Sequence, residues 1–228
     1  MTPIPSMSVV RRCSIGAPLV WVAVAVTTAQ ETPRNIWAQQ YKDRTAAAMA
    51  EQFEQPARAV FRYRVAIAGL MELRPGMTAA EIGAGSGFLS RVIAQQVGPG
   101  GRVIATELDD KMVAYMNERA KAEGLTNFAA LKGETASSGL EPASVDAIAM
   151  VNTYSFFDRP KEMLQSAVKA LKPGGLLLIV DIPQTGSGAS RSGVEAEDVI
   201  AAATAAGLSP AGESAVVPGH YALRFRLK

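Results

Sequence analysis

The stretch Ala80–Gly98, AEIGAGSGFLSRVIAQQVG, contains the residues whose types and spacing most directly suggest chemistry. Glycines stand at the alternate positions Gly83, Gly85 and Gly87, between a short apolar run and a segment with apolar residues at helical spacing. Glycine permits a sharp turn and a close approach of the backbone to a ligand. A helix that begins directly after such a turn offers free backbone amides to an anionic or polar group. The pattern therefore predicts a ligand-binding turn between a strand and a helix.

The spacing narrows the choice of ligand. A phosphate-binding P-loop is excluded because no Gly-Lys-Ser/Thr follows the glycines. The dinucleotide fingerprint Gly-x-Gly-x-x-Gly is not met, since Phe88 or Ser90 stands where its last glycine belongs. A nicotinamide-dependent oxidoreductase stays an alternative, which the absence of an evident Tyr-x-x-x-Lys pair also disfavours.

Two glutamates accompany the glycine loop. Glu107 ends the next apolar run, GRVIATELD, about twenty residues further on, where a carboxylate can accept both hydroxyls of a ribose. Glu81 lies inside an apolar run, where an unpaired carboxylate is costly. Two interpretations of Glu81 remain open, which do not exclude each other: a structural acid bonded to loop amides, or a partner for a ligand ammonium group.

Alternating strands and helices predict an α/β fold with a parallel sheet covered by helices on both faces. The last two strands have no helix between them and are expected to pair antiparallel. The predicted strands are Thr78–Ile82, Arg102–Glu107, Asn127–Leu131, Ser144–Val151, Leu176–Asp181, Leu208–Glu213 and Tyr221–Leu227. The predicted helices are Thr32–Gln55, Ala57–Leu73, Leu89–Val97, Asp110–Glu123, Lys161–Leu171 and Val194–Ala206.

Four motifs in order resemble the class I S-adenosylmethionine-dependent methyltransferases: AEIGAGSG, VIATELD, SVDAIAMVN and ALKPGGLLLIVD. The resemblance extends from about Leu73 to the C-terminus and implies a Rossmann-like, seven-stranded, mostly parallel sheet with an antiparallel last strand. The segment from Pro142 to Gly175 also resembles a bacterial group of predicted exported methyltransferases. Members of that group carry two histidines where this chain has Ser155 and Phe156, so a histidine-based role at these positions is not expected.

The resemblance implies S-adenosylmethionine as the methyl donor and assigns residues to it. The donor-binding residues that it implies are Glu81, Gly83, Ala84, Gly85, Gly87, Glu107, Leu108, Glu134 and Asn152. Glu81 and Asn152 would face the methionine end and Glu107 the ribose hydroxyls. Leu108 and Glu134 would lie beside the adenine, although an aspartate-centred version of the Glu134 motif is commoner in the family.

Candidates for catalysis follow from topology, because ligands bind at the carboxyl ends of parallel strands. Tyr154 follows the fourth strand, and His220 precedes an antiparallel last strand that begins at the same edge. Tyr154 has the alternative interpretation of a packing aromatic and His220 that of a solvated side chain. Asp181 ends the fifth strand and is either a loop cap or a site residue. Neither a nucleophilic triad nor a metal site is expected for methyl transfer, since the sulfonium donor is already activated.

An apolar acceptor pocket is expected beside the donor. Its candidate walls are Trp37, Tyr41, Phe156 and Phe157. Each of these aromatic residues has the alternative interpretation of ordinary core. Helices before Pro75 commonly form a lid in the resembling family, which favours Trp37 and Tyr41 among these candidates. The expected acceptor is a small molecule with an apolar or aromatic body.

The first residues resemble a secretory signal, with Arg11 and Arg12 before the apolar run Ile15–Ala29 and small residues ahead of Gln30. An uncleaved anchor, a misassigned start and a twin-arginine signal are alternatives. The expected organisation is a signal peptide at 1–29, N-terminal helices forming a possible lid at 30–74, and the donor-binding domain at 75–228. Export to a bacterial periplasm is expected, or a cytoplasmic location if the leader has no function.

Charge and cysteine content restrict the partners. Without residues 1–29 the chain has equal numbers of basic and acidic residues, so nothing indicates a nucleic-acid partner. Cys13 is the only cysteine, so a mature chain would contain no disulfide and no thiolate site. No stable membrane span is expected after leader cleavage. A non-catalytic nucleoside-binding protein, such as a sensor or scaffold, remains the alternative from a different class.

Overall fold

A computed structural model describes residues 41–186, 190 and 192–228 of the chain. The strands are β1 Thr78–Ile82, β2 Arg102–Glu107, β3 Phe128–Lys132, β4 Val145–Val151, β5 Leu171–Asp181, β6 Leu208–Ser214 and β7 Tyr221–Leu227. The helices are α1 Ala46–Phe53, α2 Ala59–Arg62, α3 Arg64–Gly69, α4 Phe88–Val97, α5 Asp110–Ala122, α6 Pro160–Ala170 and α7 Ala196–Ala205, with a 3-10 turn at Tyr154–Phe156.

The strands form one sheet in the order β3-β2-β1-β4-β5-β7-β6. The β1–β5 neighbours pair in parallel, while β7 lies antiparallel between β5 and β6. The predicted fold class is therefore confirmed, including the antiparallel last strand. The strand order reverses on either side of β1, so the carboxyl ends of β1 and β4 flank a topological switch point, where ligands bind in such sheets.

Both faces of the sheet are covered, as continuous apolar strands require. On one face, Ile148 and Ile179 pack against Leu164 of α6 and Val199 of α7. On the other face, small residues of β1 and β4 leave room for the apolar sides of α3 and α4. The small residues are Ala79, Ala147 and Ala149. Burial on two sides explains why these strands are almost without polar residues.

The predicted helix Ala57–Leu73 is wrong as a single element. The structure has two short helices separated at Tyr63, whose φ of −97° and ψ of 14° end α2. The Arg64 side chain donates a hydrogen bond to the Phe61 carbonyl at 2.8 Å, which stabilises the bend. The apolar spacing that suggested one helix is satisfied by two, because both bury their apolar residues against α4 and its neighbours.

Strand β5 is longer than predicted, since it begins at Leu171 and includes the Lys172–Gly175 segment that lies between the predicted helix and the predicted strand. The pairing of β4 with β5 is irregular between Val145 and Ala147, which accommodates that segment.

The first predicted helix lies partly outside the described residues, and within them it is represented by α1. The predicted signal peptide, residues 1–29, lies wholly outside them. Across the described residues, no helix is both long and apolar enough to cross a bilayer.

Candidate functional site

The glycine loop joins β1 to α4 in left-handed backbone conformation. Gly83, Gly85 and Gly87 have φ values of 71°, 56° and 70°. A Cβ atom on Gly83 would lie 2.2 Å from the Thr153 methyl group, and one on Gly85 would lie 3.2 Å from the Phe53 ring. Glycine is therefore required both by the backbone angles and by the close packing of the loop.

Four amides of the loop itself, which precedes the helix start whose amides were expected to be free, already have partners within the protein. The Gly83 and Ala84 amides donate to the Thr106 carbonyl at 2.8 and 3.1 Å. The Gly87 amide donates to the Ala84 carbonyl at 2.9 Å, and the Gly85 amide donates to Glu107 Oε2, also at 2.9 Å. The loop folds back onto β2 and these amides are used there. Its contribution to a ligand site is therefore a stretch of backbone without bulky side chains that a ligand can approach closely.

Glu107 lies at the end of β2 with its carboxylate buried beside the loop. Besides the hydrogen bond from the Gly85 amide, Glu107 accepts hydrogen bonds on Oε1 from the Leu108 amide at 2.6 Å and the Asp109 amide at 3.2 Å. Burial raises the pKa of Glu107, and these amides oppose that rise. A carboxylate has about four lone-pair sites. One therefore remains for a ribose hydroxyl, and a second hydroxyl would have to replace the long bond from Asp109.

Glu81 is buried in β1 and accepts a hydrogen bond from the Ser90 hydroxyl of α4 at 2.5 Å. Burial raises its pKa to about 8, and Ser90 opposes that rise, while Glu107 adds to it and Arg91 opposes it. Its partner is thus Ser90 of α4, through the hydroxyl and the backbone amide, and the structural interpretation through loop amides is replaced by one through Ser90. A buried carboxyl that also borders a cavity remains able to receive a ligand cation.

A cavity of about 220 Å³ lies at the carboxyl ends of β1, β2, β4 and β5. The predicted donor-binding residues that line it are Glu81, Gly83, Ala84, Gly85, Glu107, Leu108, Glu134 and Asn152. Gly87 is the exception, because it caps α4 and faces Met116 instead. Leu108 is 40% exposed, as an apolar side chain beside an open ligand site would be.

Asn152 follows β4 with a positive φ of 49°, and its amide donates to the Val180 carbonyl at 2.8 Å. Its Oδ1 atom is buried without a hydrogen-bond partner among the described residues. Buried polar atoms in folded proteins are normally paired. Because Asn152 lines the cavity, its Oδ1 atom is suited to accept a hydrogen bond from a ligand.

The two predicted catalytic residues do not line the cavity. Tyr154 is 5% exposed and packs in the core against Phe157, with ring centroids 6.0 Å apart, and burial raises its pKa. His220 is partly buried, with Nδ1 3.0 Å from the Pro218 carbonyl. Tyr154 therefore fits its alternative interpretation as a packing aromatic. His220 does not fit that of a solvated side chain, because its Nε2 atom is buried without a hydrogen-bond partner among the described residues.

Of the four aromatic residues predicted to line an apolar acceptor pocket, three line the cavity. Tyr41, Phe156 and Phe157 line the cavity, and Trp37 lies outside the described residues. Phe53 completes the wall by packing edge-to-face on Tyr41, with centroids 5.6 Å apart.

Sequence reasoning missed two polar contributions to the site. Arg58 lines the cavity, donates to the Phe53 carbonyl at 2.8 Å and lies over the Phe53 ring. Ser155 lines it as well and donates to Asp181 Oδ1 at 3.1 Å. In the sequence, the signals that could have indicated these two residues were the place of Arg58 on a predicted lid helix and the place of Ser155 just after β4. Among the residues that the structure describes, no group of three His, Cys, Asp or Glu side chains is placed to hold a metal ion.

Comparisons with known proteins agree with this geometry. Residues 80–179 match the family described as a methyltransferase domain. The fold resembles a SAM-dependent methyltransferase from Aquifex aeolicus, with a TM-score of 0.70 and 22% identity over 79% of this chain and 98% of that one. The family match and the fold support a class I S-adenosylmethionine-dependent methyltransferase with S-adenosylmethionine as methyl donor.

Similar curated proteins differ in what their names say they act on. A protein-L-isoaspartate O-methyltransferase of Ignicoccus hospitalis is 34% identical over 47% of this chain and 48% of its own length. A ubiquinone/menaquinone biosynthesis C-methyltransferase of Legionella pneumophila is 30% identical over 49% of this chain and 45% of its own length. The chain thus spans under half the length of these relatives.

Proposed function

We propose that this chain is an S-adenosylmethionine-dependent methyltransferase acting on a small-molecule acceptor. The observation that carries the proposal is the single cavity that the glycine loop, Glu81, Glu107 and Asn152 all line, at the switch point of a methyltransferase fold. Aromatic side chains line the same cavity, which supports an acceptor with an apolar body.

The residues support one orientation of the donor. Glu107 would accept a ribose hydroxyl on Oε2, and Leu108 and Glu134 would border the adenine. Glu81 would pair with the ammonium group of the methionine end. Arg58 is a further candidate there, because its guanidinium group lies beside the loop and would pair with the donor carboxylate.

Bound S-adenosylmethionine supplies a sulfonium methyl group, which an acceptor attacks in line with the departing sulfur. The chain's contribution is to align the acceptor and to exclude water. The aromatic wall of Tyr41, Phe53 and Phe156 is suited to both, since it gives an apolar acceptor a defined surface. No covalent bond to the protein is required.

The transfer itself is tested with S-adenosylmethionine labelled in its methyl group and a bacterial extract separated into small molecules and macromolecules. We expect label in the small-molecule fraction with the wild-type protein, and less label with Glu107→Ala at a donor concentration that does not saturate the variant. Label in protein or nucleic acid would contradict the proposed acceptor class. Donor binding without labelling of any fraction would favour a non-catalytic binding protein.

We also propose export, on the strength of the arginine pair and the apolar run before Gln30. Cleavage would leave a mature chain without cysteine. N-terminal sequencing of the protein from its native cells should give a start near Gln30. An intact Met1 on protein from the cytosolic fraction would contradict export.

A further inference from the structure

Asp181 forms a second polar centre in the cavity, at the carboxyl end of β5. It is 2% exposed, and its Oδ1 atom accepts the Ser155 hydroxyl at 3.1 Å and the Ile182 amide at 2.8 Å. Its Oδ2 atom accepts the Ser155 amide at 3.1 Å. Asp181, Ser155 and Ile182 all line the cavity. The carboxylate is thus fixed by three donors, none of which is a cation.

The groups that face Asp181 from neighbouring elements leave its charge largely uncompensated. Tyr221 is its register partner on β7, and Tyr154 approaches from the 3-10 turn. His220, just before β7, is a basic group that favours the charged form of Asp181. Besides burial, the carboxylate of Asp198 in α7 raises the pKa of Tyr154, and that of Glu195 raises the pKa of Tyr221. Burial raises the pKa of Asp181, as expected for a carboxyl in such surroundings.

Ser155 connects this carboxylate to the cavity. Because its hydroxyl proton is directed at Asp181, the lone pairs of its oxygen remain to accept a hydrogen bond. Asn152 Oδ1 offers another unpartnered acceptor in the same cavity. This end of the cavity therefore presents acceptor atoms, with Phe156 and Phe157 as apolar walls. Such a surface suits a ligand that brings its own O–H or N–H group.

The position in the sheet separates this centre from the proposed donor site. The glycine loop and Glu107 follow β1 and β2, whereas β5 lies beyond β4. Arg58 belongs to the loop side, because its carbonyl partner Phe53 packs over Gly85. Among the described residues that line the cavity, no arginine or lysine therefore lies at the Asp181 end.

We propose that Ser155 and Asp181 form the acceptor subsite, and that it takes a non-anionic molecule with an apolar body and a hydroxyl or amine group. The inference rests on the proposed methyl transfer. A lone pair on the acceptor oxygen or nitrogen forms the new bond to the methyl carbon, and the carbon–sulfur bonding pair leaves with sulfur. The acceptor proton passes to Ser155 Oγ while the Ser155 proton passes to Asp181 Oδ1, so the atoms and charges balance. Ser155 contacts the acceptor, and Asp181 is a positioning residue that acts through it.

The test measures binding of three probes of similar size, phenol, benzylamine and benzoate, to the protein saturated with S-adenosylhomocysteine. Ligand-observed NMR titration at neutral pH gives each affinity. We expect phenol and benzylamine to bind about tenfold more tightly than benzoate, the scale of a hydrogen bond to a charged group. In Asp181→Asn that preference should fall to near unity, with affinity for S-adenosylhomocysteine unchanged.

Two variants keep the test decisive. Asp198→Asn makes the same change on an exposed residue of α7 and should retain the full preference. Ser155→Ala removes the contact group while leaving Asp181, and should weaken phenol several-fold even if Asp181→Asn does not fold. Equal or tighter binding of benzoate to the wild-type protein overturns the subsite. An unchanged preference in the folded Asp181 variant, or an unchanged phenol affinity in Ser155→Ala, overturns it as well.

Failure of the proposed function would look different. If S-adenosylhomocysteine does not bind but the chain alone shows the same probe preference, methyl transfer is refuted while the subsite for hydroxyl or amine ligands stands. If S-adenosylhomocysteine binds and the probes show no preference, the subsite is refuted and donor binding stands.

Discussion

Replacing Glu81 with glutamine is expected to stabilise the folded protein by a few kcal/mol above about pH 8 and to leave its stability below about pH 4.5 nearly unchanged. The reason is the burial of Glu81, which raises its pKa from 4.5 to about 8. Between these values the folded state binds more protons than the unfolded state, so the free energy of unfolding decreases as pH rises. Each unit of pKa difference is worth about 1.4 kcal/mol.

Urea unfolding of both proteins across this pH range measures the effect. Asp181 also has a raised pKa but contributes equally to wild type and variant. Glu107 interacts with Glu81, so the difference measures Glu81 together with that interaction. Glu118→Gln, on the exposed face of α5, is the control for loss of a carboxylate. Parallel stability curves for wild type and Glu81→Gln would show that Glu81 is not a buried, destabilising acid.

The same substitution distinguishes the two interpretations of Glu81. A ligand ammonium group would lose a charged partner, so affinity for S-adenosylmethionine should fall about tenfold or more. Increased stability together with weakened binding is expected of a residue kept for ligand recognition. Increased stability with unchanged binding would assign Glu81 to its contact with Ser90 alone.

Replacing Glu107 with alanine is expected to weaken binding of S-adenosylmethionine by about 1–3 kcal/mol, the cost of removing the partner of a buried polar group. Glu107 also accepts three backbone amides, so the change loosens the loop that it holds. Glu107→Gln keeps the side-chain volume and one acceptor oxygen, so its affinity for S-adenosylmethionine should lie between those of the wild type and Glu107→Ala. Glu118→Ala should bind like wild type, and retained affinity in Glu107→Ala would refute the ribose assignment.

The strands that carry the site were predictable because their signals are local. Thr78–Ile82, Arg102–Glu107 and Tyr221–Leu227 have the predicted bounds, each being a short apolar run or an alternating pattern between turn residues. The order of the glycine loop and the acids then placed Glu81, Glu107 and Asn152 at one edge of a parallel sheet. Chain order and strand direction are enough for that inference.

The conformation of short turns was not predictable at the level of single residues. Tyr154 was chosen because it follows β4, yet the 3-10 turn directs its ring into the core and leaves its neighbours Ser155 and Phe156 on the cavity. A shift by one residue changes which side chain meets a ligand. The sequence offers no periodic pattern over three residues that would fix this rotation.

Contacts between distant segments were also beyond sequence reasoning. Phe53 reaches Gly85, and the Gly83 and Ala84 amides bond to Thr106, through tertiary packing that no spacing records. The expectation of free amides at the start of α4 came from the general geometry of helix N-termini. It did not foresee that the loop before α4 turns back on β2 and pairs its own amides.

Calorimetric titration of the full chain with S-adenosylmethionine, S-adenosylhomocysteine and NAD tests the central claim most directly. The cavity geometry predicts saturable binding of both sulfur nucleosides at one site, with markedly weaker or undetectable binding of NAD. Binding of NAD in preference to either sulfur nucleoside, or no affinity for S-adenosylmethionine and S-adenosylhomocysteine, would contradict it.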